Sequence, residues 1–341
     1  MNPLTQVMAG RTLSTPPIWL MRQAGRYQAS YRRLRKRHSF ETLCREPELS
    51  ARVAADAVAQ FDFDAAILFS DLLFPLEAMG FGLHYDDGPP ALDRRLTPAG
   101  LTRLRPAADA IARLAFQSEA MAATRMSIPP NRGLIGFIGG PWTLFVYAVE
   151  GGHTGALTRA KAQPELYRRF AARMRPVLSA MIRQQLAAGA DLVMIFDTAA
   201  GELAPSEFAR LTAGDLATLA RVAPGRVGYY AKGTQRAHFT AAPDLAAAPW
   251  AGAGIDWRWD LSETLAARPT AGFVQGNFDP ALLHRPARDL GRAIDRFLDP
   301  VARRGRAHRR GWLCGLGHGV LPATPEANVR LFVDTVRARF A

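Results

Sequence analysis

Two arginines stand four positions apart in the stretch RQAGRY (22–27), with Gln23, Ala24 and Gly25 between them. A guanidinium fork binds a carboxylate through two parallel hydrogen bonds, so Arg22 and Arg26 read as a clamp for anionic groups. The plainer reading is two surface arginines beside a turn. Asp71 follows the apolar run AAILF (65–69) and precedes LLFPLEAMG. It can cap a helix, or it can offer a carboxylate to cationic or N–H-bearing ligand groups. His318 stands between glycines in LGHG, Tyr147 lies six residues past Pro141, and Thr198 belongs to DTAAG (197–201). Histidine titrates near neutral pH and suits proton transfer; Tyr147 also fits a core position, and Thr198 a helix cap. No P-loop, HExxH or GxSxG occurs, and GGPW (139–142) is not a GxGxxG fingerprint. Cys44 and Cys314 are the only cysteines and neither lies in a CxxC or CxxxH setting, which speaks against a disulfide scaffold and a thiolate zinc site. These residues point to an arginine-and-aspartate site for an acidic ligand, with no metal and no cofactor.

Such groups need elements to position them. Eight short apolar runs recur: 16–21, 65–69, 134–138, 191–196, 226–230, 253–257, 272–275 and 311–314. Unalternating runs of this kind suit strands buried on both faces. Helical patterns separate most of them. Over 164–188, Leu166, Phe170, Met174, Val177, Leu178, Met181, Ile182 and Leu186 form an amphipathic stripe, with a kink or break expected near Arg175 because Pro176 interrupts it. Further helices are expected over 48–59, over 206–222, and over 325–340 with Thr324 as its N-cap. The interval 22–64 exceeds one crossover helix and holds the basic segment RYQASYRRLRKRH, read as a loop and helix outside the sheet. Strand alternating with helix, eight times, predicts a (β/α)8 barrel, although periodicity alone does not separate this from a doubly wound sheet. In a barrel the functional groups gather where strands end, and each run is followed by a distinctive group: RQAGRY, SD, GGPW, DTAAG, AKGT (231–234), RWD (258–260), GNFDP (276–280) and GLGHG (315–319).

The chain has 341 residues, 48% of them hydrophobic and 21% charged, which excludes a disordered or low-complexity chain. Its formal net charge of +13 comes almost wholly from arginine, since lysine occurs only at 36, 161 and 232. The sequence pI of about 10.7 raises a nucleic-acid-binding module, but no motif for one is present and the aromatics are not interleaved with the basic run, so no nucleic-acid partner is expected. Residues 133–149 carry no charge and approach the length of a membrane span, yet Gly139, Gly140 and Pro141 would break a helix in the middle. That stretch reads as strand, turn and helix start, and no membrane association is expected. The start MNPLTQVMAGRTL lacks the apolar core of a signal peptide.

The string PPIWLMRQAGRYQASYR (16–32) resembles the N-terminal signature of the uroporphyrinogen decarboxylase family. So do ILFSDLL (67–73), GFIGGPWTLFVYAVEGG (136–152), IFDTAAGELAP (195–205), GIDWRWDL (254–261), VQGNFDP (274–280) and LGHGVLPATPEANV (316–329), in the family's order. The resemblance implies one distorted (β/α)8 TIM barrel over 1–341, with the active-site cleft at the C-terminal ends of the strands. It implies removal of carboxylate from the four acetate side chains of uroporphyrinogen, giving coproporphyrinogen and CO2. It also implies a cytoplasmic homodimer whose clefts face each other, and no metal or cofactor. Carried over position by position, Arg22 and Arg26 pair with substrate carboxylates, with Gln23, Ala24 and Gly25 between them. Asp71 accepts from the pyrrole N–H groups and stabilises the cation that develops as CO2 leaves. Tyr147, Thr198 and His318 line the pocket, and Phe40 is an aromatic neighbour of the substrate. Arg22, Tyr147, His318 and a held water stay open as proton donors. Ala199, Ala200, LCGLGHG and VAQFDFD depart from the family pattern and bear on local pocket shape. The alternative on the same barrel is a zinc-dependent methyltransferase acting on a corrinoid protein, for which Cys314 lacks a second cysteine nearby.

Overall fold

Seven of the eight apolar runs form strands. The computed structural model describes residues 1–85 and 90–341. Its sheet contains β1 (Ala65–Ile67), β2 (Gly133–Gly139), β3 (Leu192–Phe196), β4 (Val227–Tyr230), β5 (Gly252–Gly254), β6 (Phe273–Phe278) and β7 (Trp312–Leu316). All neighbours are parallel and strand order follows chain order. A parallel pair needs a crossover connection, and crossovers of one hand between consecutive neighbours place their helices on one face. Every strand residue is nevertheless buried. The other face is therefore covered by the sheet itself, which curls into a half-barrel.

The first run is the exception. Residues 16–21 make no strand, only a single parallel bridge from Ile18 to Cys314. Pro16 and Pro17 have no N–H to give to a ladder, and the Ile18 N–H is taken by the Asp64 carboxylate at 2.8 Å rather than by a backbone carbonyl. The segment still spans the space between the two edge strands. Pro17 O accepts from Cys314 N at 2.8 Å and Ile18 O accepts from Asp64 N at 2.8 Å.

Three helical expectations need correction. The 164–188 stripe is one helix, Pro164–Ala187, running through Pro176 without a break. An interior proline costs about 3 kcal/mol. Met174, Val177 and Leu178 are all buried around it, and each buried apolar side chain returns about 1.5–3 kcal/mol. The 206–222 helix is two, Pro205–Leu211 and Ala213–Ala220. They divide at Thr212, whose hydroxyl bonds back to Phe208 O at 2.8 Å, a contact that bends helices. The last helix, Glu326–Phe340, has Pro325 at its N-cap; Thr324 instead bonds His284 at 3.2 Å. The 48–59 helix extends over Pro47–Phe61, and the basic segment carries the short helix Ala29–Arg35. Residues 133–149 are β2, a turn at Gly140, and the helix Pro141–Glu150. Among the described residues no helix is long and apolar enough to cross a membrane.

Candidate active site

Asp71 lies just beyond β1. Its Oδ1 accepts from the Leu73 N–H at 2.8 Å, and the helix Phe74–Met79 that follows is capped at Leu73 without a side chain. The carboxylate therefore closes a local turn and does not cap the helix. Burial pushes its pKa above the usual carboxylate range, while the Leu73 N–H, the Tyr85 hydroxyl and the Arg22 charge oppose the rise. The Tyr85 hydroxyl is buried and influences Asp71 electrostatically, although its geometry falls short of a hydrogen bond with any described residue. Phe40 packs against the same wall, its ring 4.7 Å from Tyr85 and 5.6 Å from Phe69.

Arg22 sits in the turn closed by the Gln23 N–H on Leu20 O. Its φ of 58° is in the left-handed region, which costs a side-chain-bearing residue about 1 kcal/mol or more. Gly319 makes room for it, because a Cβ at that position would overlap Arg22 Cδ and Cγ. Gln23 is fully buried and both ends of its amide are engaged: Oε1 accepts from Leu20 N at 3.1 Å and Nε2 donates to Ala65 O at 2.9 Å. It ties the turn to β1. Ala24 and Gly25 are half-buried, and Gly25 N donates to Gln28.

The Arg22 charge acts on Asp71, Tyr147, His153, Tyr230 and His318 alike, so these groups form one cluster at the strand ends. Tyr147 comes from the helix after β2. Burial, reinforced by the Asp71 charge, pushes its hydroxyl up to about 12. His318 follows β7 and stacks on Tyr230 with ring centres 6.0 Å apart. The Tyr230 hydroxyl donates to Gly317 O at 2.7 Å and lies 3.2 Å from His318 Nδ1. Burial and the charges of Arg22, Lys232 and Arg258 hold His318 down to about 3, so it is neutral throughout the physiological range. Arg26, exposed like Arg22, lowers the Tyr31 pKa by its charge. Thr198 is half-buried beyond β3 and caps no helix; the turn Ala200–Glu202 has Ala199 at its N-cap.

Sequence reasoning passes over several groups placed here. Asp197 is fully buried and accepts from both the backbone N–H and hydroxyl of Thr143, at 2.9 and 2.6 Å; burial lifts its pKa to about 6. Gly140 is required opposite it, since a Cβ would overlap the carboxyl. Asp256, also fully buried, accepts from Gly233 N at 2.7 Å and pairs with Arg258 at 2.6 Å, joining the loops after β4 and β5. Lys232 and Arg258, carried on those loops, add positive charge that lowers the His318 pKa, and Arg258 itself is held by Asp256. The strings AKGT and RWD are the only sequence signal for these two cations. A cleft of about 490 Å3 opens between the segments after β5 and β6 and the helix Ala287–Arg303, lined by Trp257, Trp259, Asn277, Asp279 and Arg285 among others; none of the anticipated site residues lines it. Among the described residues no group of three or more His, Cys, Asp or Glu side chains is placed to hold a metal ion.

A family model described as uroporphyrinogen decarboxylase matches residues 1–339. The chain belongs to the uroporphyrinogen decarboxylase family. It is 36% identical over 341 residues to the uroporphyrinogen decarboxylase of an Anaeromyxobacter species, covering 94% of each chain. It is 35% identical to that of Rhodospirillum rubrum, covering 99% of this chain and 97% of that one. A solved structure, a methyltransferase from Methanosarcina mazei, superposes with a TM-score of 0.81 over 99% of this chain and 98% of that one at 18% identity, a likeness of fold. The Arg22 cluster gathers Arg22, Asp71 and His318 from the segments after the first run, β1 and β7, and Tyr147 from the helix after β2.

Proposed function

We propose that this chain removes the carboxyl groups of the four acetate side chains of uroporphyrinogen as CO2, leaving methyl groups and giving coproporphyrinogen. The observation that carries the reading is the family match from residue 1 to 339, with the Asp71 carboxylate fixed by the Leu73 N–H just beyond β1.

The chemistry follows from the substrate. A pyrrole acts as its own electron sink. Protonating the ring carbon beside the acetate creates an iminium-like cation, the C–C bond to the carboxylate breaks toward that cation, and CO2 leaves. A second proton on the exposed methylene makes the methyl group, and the ring proton departs. Each acetate thus consumes one proton net. Asp71, ionised and fixed by the Leu73 N–H, accepts from the pyrrole N–H groups and stabilises the cation, the sign-reversed form of an oxyanion hole. Arg22 keeps Asp71 charged and pairs with substrate carboxylates, as do Arg26 and the cations Lys232 and Arg258; burying a polyanion requires such partners. Gln23 serves by fixing the turn, with Ala24 and Gly25 giving backbone approach. Phe40 and Thr198 border the macrocycle, and neutral His318 offers a hydrogen bond rather than a charge. Residues 16–21 complete the curl as an irregular eighth stave, making one distorted (β/α)8 barrel over 1–341. The chain acts without metal or organic cofactor, as a cytoplasmic homodimer with facing clefts.

Anaerobic incubation with enzymatically made uroporphyrinogen, products resolved by carboxylate number, tests this: a series from eight down to four carboxylates is expected. The likeness to the Methanosarcina methyltransferase favours a second reading, a zinc-dependent corrinoid methyltransferase. Cys44 and Cys314 are both buried, in a helix and in β7. Stoichiometric zinc in the purified protein, with no decarboxylation, is the result that would favour it.

A further inference from the structure

Tyr147 has a partner that the decarboxylase reading leaves unused. The helix carrying it ends at Gly151, whose φ of 85° turns the chain back on itself. The turn returns His153 to the Tyr147 side chain: Nδ1 lies 2.6 Å from the Tyr147 hydroxyl and the two rings are 5.2 Å apart. His153 is half-buried, and its Nε2 makes no hydrogen bond among the described residues. One ring nitrogen thus meets the tyrosine, and the other has no hydrogen-bond partner among the described residues on a ring that is only half-buried.

The surroundings fix the charge state. Burial, Lys232 and Arg22 all lower the His153 pKa, Glu202 alone opposes them, and His318 registers His153 in turn. The imidazole is neutral at neutral pH and carries one proton, movable between its nitrogens. Tyr147, pushed up to about 12, is a reluctant acid by itself. A proton supplied to its oxygen in the same step removes that difficulty, because no phenolate need accumulate.

We propose that His153 is a positioning residue that reloads Tyr147 with a proton from solvent during each decarboxylation. The inference rests on the decarboxylase reading above, with Tyr147, one of the pocket-lining residues and open proton donors that the family resemblance implies, facing the substrate. In the transfer, the Tyr147 O–H bond breaks as the substrate C–H bond forms. His153 Nδ1–H breaks as the Tyr147 O–H is remade, and His153 Nε2 takes a proton from hydronium, releasing water; before the next acetate reacts, Nδ1 takes a proton from hydronium and Nε2 returns its proton to water, which restores the starting tautomer with no net change in protons. The electron pairs stay with their atoms, and the one proton consumed per acetate is supplied by solvent.

The test uses the full chain with uroporphyrinogen and four variants: His153→Ala, His153→Gln, Tyr147→Phe, and His153→Ala with Tyr147→Phe. General acid–base groups contribute about 10² to 10⁴ in rate, so loss of the reloading partner is expected to lower kcat about tenfold or more with KM within about twofold. His153→Gln keeps a hydrogen bond to Tyr147 but cannot pass a proton, and is expected to be as slow as His153→Ala. Added imidazole restores His153→Ala, and His153→Ala has no further effect once Tyr147 is Phe. A glutamine variant as fast as the wild type, or losses that multiply in the double variant without imidazole rescue, would assign His153 a structural role and overturn the proposal. Tyr147→Phe turning over like the wild type would remove the tyrosine from the path and overturn it too. Absence of decarboxylation by the wild type would instead overturn the reading on which it rests.

Discussion

Replacing Asp71 by Asn separates charge from shape at the centre of the cluster. The amide is nearly isosteric, and its Oδ1 can keep the 2.8 Å bond from the Leu73 N–H, so the turn that presents it survives. What disappears is a negative charge placed where the substrate cation develops. Losing one preorganised electrostatic partner costs about 10² to 10³ in kcat, or about 2.7–4 kcal/mol of transition-state stabilisation. The same charge also raises the Tyr147 and Tyr85 hydroxyls and the Cys44 thiol, so all three should titrate lower in the variant, Tyr147 from its value of about 12. Stability moves the other way from activity. The folded pKa of Asp71 is raised, so its favourable contribution is present below the ordinary carboxylate range and is lost as pH rises through the folded value. At neutral pH the ionised group opposes folding, and the Asn variant should melt at the same temperature or higher. The assay pairs steady-state turnover of uroporphyrinogen with a thermal melt near pH 7.5. Turnover within a few-fold of wild type would refute the cation-stabilising role; a melt lowered by many degrees would show that the activity loss has a structural cause.

Three further outcomes follow from named contacts. Gly319→Ala places a methyl group where Arg22 Cδ and Cγ lie, so KM should rise severalfold while the circular dichroism spectrum stays native; unchanged kinetics would mean that Arg22 does not depend on that position. Tyr85→Phe removes a group that lowers the Asp71 pKa, so activity, which needs ionised Asp71, should fall off at a higher pH on the acid limb of kcat/KM; an unmoved limb would detach Tyr85 from Asp71. The formal charge of +13 and the cations Arg22, Lys232 and Arg258 around His318 should steer a polyanionic substrate. kcat/KM should then fall as salt shortens the Debye length from about 10 Å at 0.1 M to about 3 Å at 1 M, with kcat nearly constant; a flat kcat/KM would leave the arginines a role in solubility alone.

The strands are legible in the sequence because burial on both faces leaves short apolar runs without alternation, and seven of them pair as strands. The run 16–21 has the same apolar character, but its two prolines withhold N–H groups, and a ladder depends on those rather than on hydrophobicity. Helix extents are legible from periodicity and their ends less so: Pro176 is overridden by packing on both sides, while Thr212 divides a helix through a single hydroxyl. At the site, the strand-end motifs point to Arg22, Asp71, Tyr147 and His318. The Tyr147–His153 contact is not legible, since it depends on the reversal at Gly151. Nor is the duty of Gln23, whose place between two arginines suggests a ligand contact while its amide is spent on Leu20 and Ala65. Asp197 and Asp256 read as ordinary turn residues until their burial is seen.

The most direct test of the decarboxylase assignment is the CO2 released per molecule of uroporphyrinogen labelled in its acetate carboxyl carbons. The protein is first dialysed against a chelator and assayed anaerobically with no metal or cofactor added. Four equivalents of labelled CO2 are expected from the wild type, and a rate lower by about two orders of magnitude or more from Asp71→Asn. Less than one equivalent from the wild type, or a release that vanishes on chelation and returns with zinc, would contradict the assignment.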